Sequence, residues 1–209
     1  MSDPRKKIVE VGYDSMAEVY LNWGDEGEDV ARNHFFAEFS ERLSDGAQVL
    51  DFGCGAGDPS TKLLAERFSV VGVDISEAQL QLARKLVPSA KFIHGDITEL
   101  VFPNASIAGV TAFYSISHIP REEHGELFRR IADWLEPGGL FLATLGAGDL
   151  PDWEGEWLGV PMFFSSHHGE IYRELLRTAG FELLLDEIIE THEPTGTVSF
   201  LWVLARKIQ

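Results

Sequence analysis

Thiols are nearly missing from this sequence. Of 209 residues only Cys54 is a cysteine, so no disulfide can form within the chain. That usage fits a reducing compartment and points to the cytoplasm. Basic residues are also scarce: 17 Lys and Arg stand against 34 Asp and Glu, a formal net charge of −17. Such a balance repels a phosphate backbone, and no nucleic-acid partner is expected. No apolar run approaches the ~20 residues needed to cross a bilayer, so no membrane partner is expected. The opening residues Arg5-Lys6-Lys7 lead into no apolar core of a secretory leader. Repeats, linkers and low-complexity tracts are absent as well. What is present is ordinary for a globular chain, 44% hydrophobic and 24% charged. The length suits one well-buried domain.

The most informative stretch is Val49-Leu-Asp-Phe-Gly-Cys-Gly-Ala-Gly-Asp58. Val49, Leu50 and Phe52 read as a short buried strand. Gly53, Gly55 and Gly57 then form a turn, with Asp58 placed as the N-cap and Pro59 at the first position of a helix. A strand, a glycine turn and a helix start together suit a nucleotide, because glycine lets a ligand approach the backbone closely. Cys54 is a small filler inside this cofactor-binding turn. The run Ser69–Asp74 is a second strand, apolar almost throughout, as in a parallel sheet covered on both faces. Asp74 follows Gly53 by about twenty residues, the position from which a carboxylate accepts hydrogen bonds from ribose hydroxyls. Ile75 beside it would pack on the base, and Ser76 with Gln79 forms a capping box for the next helix. A third strand ends at His94, followed by Asp96, placed to accept from an adenine amino group, and by Ile97, placed to cover the ring.

Dinucleotide sites usually read G-x-G-x-x-G. Here the glycines run G-x-G-x-G, Asp58 holds the third-glycine position, and Asp51 precedes the first. This resembles the first motif of the class I S-adenosylmethionine (SAM) dependent methyltransferases, [DE]-x-G-x-G-x-G. The stretch Leu135-Glu-Pro-Gly-Gly-Leu140 resembles another feature of that family, and the resemblance covers nearly the whole chain. It implies a single α/β domain: a doubly wound, mostly parallel seven-stranded sheet, helices on both faces, an antiparallel last strand and an N-terminal helical cover. The divisions are a cover over 1–45, a cofactor-binding core over 46–145, an acceptor lid over 146–168 and a C-terminal helix and hairpin over 169–209.

The resemblance also implies site roles. Asp51 and the backbone of Gly53 and Gly55 would hold the methionine end of SAM. In the segment Tyr13-Asp-Ser-Met-Ala-Glu-Val-Tyr20, Tyr13 and Tyr20 would close over it, with Asp14 or Ser15 capping a short helix. A further amphipathic helix is expected over 29–43. Ser115 and His118, after the fourth strand, would lie near the chemistry. Residues 146–168 break the strand–helix alternation, and a long irregular segment in a compact domain usually carries function. Trp153, Trp157, Met162, Phe163 and Phe164 would wall an apolar acceptor pocket, or simply pack the lid onto the core. His118, His167 and His168 are the candidate bases, since imidazole titrates near neutrality. Adjacent His167 and His168 cannot easily converge on an ion, so no metal is expected.

These readings amount to a SAM-dependent enzyme transferring a methyl group to N, O or S, less readily C, of a small organic molecule. Two rival readings are a nicotinamide-dependent oxidoreductase and a non-catalytic module binding SAM or a partner. A monomer and a homodimer are equally compatible with the sequence.

Overall fold

The computed structural model describes residues 3–22, 30–193 and 196–208. In chain order the elements are α1 (Pro4–Leu21), α2 (Val30–Glu41), β1 (Gln48–Phe52), α3 (Ser60–Ala65), β2 (Ser69–Asp74), α4 (Glu77–Leu86), β3 (Lys91–His94) and β4 (Ile107–Ala112). Two 3₁₀ turns follow, Ile116–His118 and Arg121–Glu123, and then α5 (His124–Trp134), β5 (Leu135–Gly146), β6 (Leu150–Trp157), β7 (Val160–Ser166), α6 (Gly169–Thr178), β8 (Phe181–Glu193) and β9 (Gly196–Lys207).

Seven strands form one sheet in the order β3-β2-β1-β4-β5-β9-β8. The first five pair in parallel, and β9 is antiparallel to both of its neighbours. This is the doubly wound, mostly parallel sheet with an antiparallel last strand that the family resemblance implied. Strands apolar at nearly every position sit where both faces are covered. Along β5, Phe141, Ala143 and Leu145 enter the core layer shared with Leu127, Phe128 and Ile131 of α5 and Tyr172 and Leu176 of α6. Leu140 and Leu142, pointing the other way, join Phe35 and Phe39 of α2 and Leu64 of α3. The sheet order turns around between β1 and β4, which opens a crevice beyond their carboxyl ends.

Several local expectations need correction. The helix foreseen around Asp14 starts earlier, at Pro4, and is capped by Asp3, whose carboxylate accepts the Arg5 N–H at 2.8 Å. Asp14 lies inside α1 and caps a different helix: it accepts from Ser76 Oγ at 2.7 Å and from the Ala78 N–H at 3.1 Å, at the start of α4. Ser15 returns its hydroxyl to the Val11 carbonyl. Asp58 caps nothing; α3 begins at Ser60 without a side-chain cap, and Asp58 pairs with Lys62 at 3.0 Å. Of the two helices assigned to the cover, only α1 lies over the crevice, because α2 buries Phe35 and Phe39 in the sheet. Residue 29 of the second expected helix, residues 23 and 24 after the first, and residues 194–195 of the last connection lie outside the described residues.

The largest departure is the stretch 146–168. It is an antiparallel hairpin, β6 with β7, with a register shift between Leu150 and Trp153, turning through Leu158 and Gly159, whose φ values are 51° and 81°. A two-residue turn with both φ positive matches the twist of paired strands. The aromatic, proline and glycine content had suggested irregular chain; pairing across the turn absorbs those residues into a ladder. Met162 and Phe163 on β7 pack with Val9 and Met16, fastening α1 to the hairpin.

Helix α2 approaches the sheet over Gly109 of β4. A Cβ at that position would lie 2.5 Å from Phe39 Cζ and 2.9 Å from Leu43 Cδ1. Gly109→Ala is therefore expected to lower stability by about 1–3 kcal/mol, through overpacking alone. Denaturant unfolding of the two proteins checks this; an unchanged midpoint would show that α2 shifts freely on the sheet.

Candidate active site

The crevice at the carboxyl ends of β1 to β4 is a cleft of about 680 Å³, counted to its open mouth. Gly53 and Gly55 line it after β1, Asp74 and Ile75 after β2, Gly95, Asp96 and Ile97 after β3, and Phe113, Tyr114, Ser115 and His118 after β4. Helix α1 contributes Lys6, Val9, Tyr13 and Tyr20.

Close backbone approach shapes the floor. Gly53 has φ +64°, and a Cβ there would stand 2.2 Å from Ser115 Cβ. Only glycine satisfies both conditions. Ser115 donates from Oγ to the Phe52 carbonyl at 2.9 Å, locking the β4 exit onto the end of β1. Beneath this junction Asp51 is sealed from solvent. One of its oxygens accepts from Thr61 Oγ1 of α3 at 2.6 Å, the other from Thr111 Oγ1 of β4 at 2.7 Å. Burial outweighs those hydrogen bonds and raises its pKa to about 6. Asp51 is not on the cleft wall, so the direct contact expected of it gives way to a role in holding β1, α3 and β4 together. Cys54 is also off the wall. Its sulfur packs over Gly72 of β2, and burial raises its thiol pKa well above the ordinary value; it is the filler the sequence suggested, with no cleft contact.

Asp74 faces the cleft. Its oxygens accept the N–H groups of Gly55 and Ser76, each at 2.8 Å. Burial pushes its pKa up to about 6 against these two bonds. One strand further out, Asp96 Oδ1 accepts from the N–H and hydroxyl of Thr98, each at 2.8 Å. Lys6 Nζ stands 3.0 Å from Asp96 Oδ2 and also bonds Glu123 and Thr98, each at 2.6 Å. Burial alone would lower the Lys6 pKa; its bonds to Glu123 and Asp96 outweigh that and raise it.

His118 is the one candidate base on the cleft wall. Its Nδ1 lies 2.9 Å from the Phe163 carbonyl, which can only accept, so Nδ1 carries the proton. Nε2 then accepts from the Tyr13 hydroxyl at 2.8 Å. Burial, stronger than the bond to Phe163, lowers the His118 pKa to about 4 and keeps the ring neutral. The other two candidates are elsewhere. His167 meets the Arg121 carbonyl and the rings of His124 and Tyr172, on the α6 side of the hairpin. His168 precedes the first residue of α6 and is exposed. Both are withdrawn as bases because the hairpin carries them away from the crevice.

The acceptor wall is corrected in the same way. None of Trp153, Trp157, Met162, Phe163 and Phe164 lines the cleft. Met162 and Phe163 are fully buried under α1. Trp157 and Phe164 back the wall instead, Trp157 against Tyr13 and Tyr20 and Phe164 against His118. The apolar surface that does face the cleft comes from Phe113, Tyr114 and Ile119, with Tyr13 and Tyr20 opposite. Lys6 and Gln79 on the wall were missed. Lys6 resembled an ordinary exposed charge near the start of the chain, and Gln79 had been assigned to a helix cap.

A family model described as a methyltransferase domain matches residues 49–139. That stretch, somewhat under half of the chain, is similar to a methyltransferase domain. Among curated proteins the chain is similar to the sterol 24-C-methyltransferase ERG6B of Gibberella zeae, 29% identical over 197 residues, covering 84% of this chain and 50% of the relative. It is also similar to a trans-aconitate 2-methyltransferase of Acidovorax sp., 38% identical over 108 residues, covering 46% of this chain and 37% of the relative. The chain thus spans half or less of the length of these two relatives. Among solved structures, the 1,6-didemethyltoxoflavin-N1-methyltransferase of Burkholderia thailandensis superposes with a TM-score of 0.73 at 22% identity, covering 100% of this chain and 92% of that one. At that identity the likeness concerns the fold. The matched stretch includes the glycine turn, Asp74 and Asp96, the residues that surround the crevice at the β1/β4 divergence.

The buried carboxylate makes stability depend on pH. With a folded pKa of about 6 against the ordinary aspartate value of 3.8, Asp51 favours folding fully below pH ~4 and loses that contribution as pH rises through 6. Asp51→Asn removes the titration while keeping a partner for both threonines. Its stability relative to wild type is expected to rise by roughly 1–3 kcal/mol from pH 4.5 to 7.5. Urea unfolding at the two pH values measures this, and a difference that falls with pH would refute the assignment.

Proposed function

We propose that this protein is a SAM-dependent methyltransferase acting on a small organic acceptor at N, O or S, less readily at C. The observation that carries the reading is the pair of carboxylates on adjacent strand ends, Asp74 and Asp96, each followed by an isoleucine on the cleft wall. Each Asp74 oxygen accepts one backbone N–H and keeps lone-pair capacity toward the cleft. That donor set fits a ribose. Asp96 would accept from the adenine amino group, with Ile75 and Ile97 against the ring. The backbone of Gly53 and Gly55, beside Ser115, would receive the methionine end, where the approach of Gly53 to Ser115 leaves room for no side chain.

Bound there, SAM supplies a methyl group already activated by its sulfonium charge. The chain's own task is to align an acceptor with it and to keep water away, and positioning of that kind contributes up to ~7–11 kcal/mol. Tyr13 and Tyr20 would shield the site from the α1 side. A hydroxyl acceptor would give its proton to the Tyr13 oxygen as the Tyr13 proton passes to His118 Nε2, with the Phe163 carbonyl fixing the ring; an amine or thiolate acceptor needs no base. The relatives are named for a sterol, trans-aconitate and a toxoflavin precursor, all small molecules, which supports a small acceptor here. The net charge of −17 argues against nucleic acid. Among the described residues no helix is long and apolar enough to cross a membrane. A cytoplasmic location, on the single thiol, and a monomeric or dimeric state complete the proposal.

A thermal-shift titration with SAM, its demethylated product S-adenosylhomocysteine and NAD tests this reading. A ligand at ~100 times its Kd stabilises by about 2.7 kcal/mol, a rise of roughly 5–11 °C for a domain of this size. The expected result is a shift with SAM and S-adenosylhomocysteine, none with NAD, and loss of the shift in Asp74→Ala. A shift with NAD alone would overturn the proposal.

A further inference from the structure

Tyr114 is the strained residue of the cleft wall. Its φ is +58°, a left-handed conformation that a bulky side chain adopts only under constraint. The other two non-glycine residues with positive φ among those described, Ala105 and Leu158, lie in turns away from the cleft. At Tyr114 the constraint has named sources. Its N–H donates to the buried hydroxyl of Thr144 on β5. Its ring meets Phe200 and Trp202 of β9 edge to face, with centroids 4.9 and 5.9 Å away. The Arg32 guanidinium of α2 stands over the rings of Phe113 and Tyr114, at 5.7 and 5.9 Å, without lining the cleft. Backbone strain held in place from several sides is a mark of ligand sites.

What the strain presents is an aromatic wall. Phe113 and Tyr114 stand on the β4 side of the cleft; Tyr13 and Tyr20, whose rings meet edge to face at 5.1 Å, stand on the α1 side. The charged residues of the lining, Lys6, Asp74 and Asp96, belong to the other end, where Lys6 is bound to Asp96. An aliphatic polyacid would therefore meet no cation on these walls. An ammonium group would meet rings that already hold the Arg32 cation. A flat ring can stack between the walls. Tyr13 Oη, which donates to His118 Nε2 at 2.8 Å, can accept from a hydroxyl on that ring. We infer that this half of the cleft is a slot for a flat hydroxyaromatic acceptor, its hydroxyl on Tyr13, and that Tyr114 sets the preference for a flat ring. This rests on the SAM reading and narrows its acceptor to a phenol-type oxygen. On transfer the acceptor O–H proton passes to Tyr13 Oη as the Tyr13 proton passes to His118 Nε2. The oxygen's electron pair forms the bond to the methyl carbon, and the carbon–sulfur pair stays on sulfur. One positive charge thus moves from sulfur to the imidazole.

The test is titration of the protein, saturated with S-adenosylhomocysteine, with three probes: 2-naphthol, its saturated counterpart decahydro-2-naphthol, and the aliphatic acid tricarballylate. Wild type, Tyr114→Leu and Tyr13→Phe are compared. Wild type is expected to bind 2-naphthol about 10-fold more tightly than decahydro-2-naphthol, as for two aromatic contacts. Tyr114→Leu should narrow that ratio to about 3-fold, one contact being lost. Tyr13→Phe should weaken 2-naphthol about 5-fold, as for one lost hydrogen bond. Should Tyr114→Leu fail to fold, the wild-type ratio and Tyr13→Phe decide. Binding of neither ring compound, equal or reversed binding of the two, or tighter binding of tricarballylate by wild type would overturn the inference. So would an unchanged ratio in Tyr114→Leu or undiminished 2-naphthol binding by Tyr13→Phe. In each of these cases bound S-adenosylhomocysteine leaves the cofactor reading intact. Failure of wild type to bind S-adenosylhomocysteine would overturn both.

Discussion

The mouth of the sheet is held in shape by one carboxylate that never meets solvent. Asp51, next to last in β1, lies between Thr61 and Thr111, and so ties β1 to the helix that follows it and to the strand across the divergence. Above that tie Gly53 comes within contact range of Ser115, whose hydroxyl bonds the Phe52 carbonyl. The crevice needs that contact, because two strands leading their loops in opposite directions would otherwise splay. An ionised group in such a place is costly, as its raised pKa shows. The gain is a rigid floor.

Helix α1 is fixed across this floor at three separate strand ends. Lys6 reaches Asp96 after β3, Asp14 caps α4 after β2, and Tyr13 reaches His118 after β4. The hairpin holds the helix from behind through Met162 and Phe163. Two of these ties, Lys6 to Asp96 and Tyr13 to His118, pair a polar group of the cover with a residue that lines the cleft, so the position of α1 and the state of the site are coupled. The hairpin therefore supports the cover, and the acceptor-facing wall is made by Phe113, Tyr114 and Ile119 and by α1 itself.

The electrostatics follow from the same packing. His118 and His124 both have pKa values lowered to about 4 by burial, while Asp51 and Asp74 are raised to about 6. As pH falls from 6.5 to 4, the histidines withdraw stability and the aspartates return it. Opposed titrations of this kind blunt the acid sensitivity of the fold. At neutral pH they leave a neutral imidazole and a hydrogen-bonded carboxylate at the cleft.

What the sequence by itself determined was the framework that depends on local order. The glycine turn after a short apolar strand, an aspartate at the tip of the next strand, and apolar runs at parallel-strand spacing place the crevice and the residues Gly53, Gly55, Asp74, Ile75, Asp96 and Ile97 around it. Each of those signals lies within a few residues of the backbone feature it specifies. Tertiary structure decided everything that needed two distant segments to meet. Asp51 looked like a ligand-facing residue until two threonines, one of them sixty residues away, enclosed it. His167 and His168 looked like bases until a hairpin turned them toward α6. Composition cannot reveal a two-residue turn that pairs Trp157 with Val160, and the lid aromatics were therefore assigned to the wrong surface. Lys6 and Gln79 carry no local signature of a site, since their importance lies in what faces them across the cleft, and that is set by chain segments packed from opposite sides of the sheet.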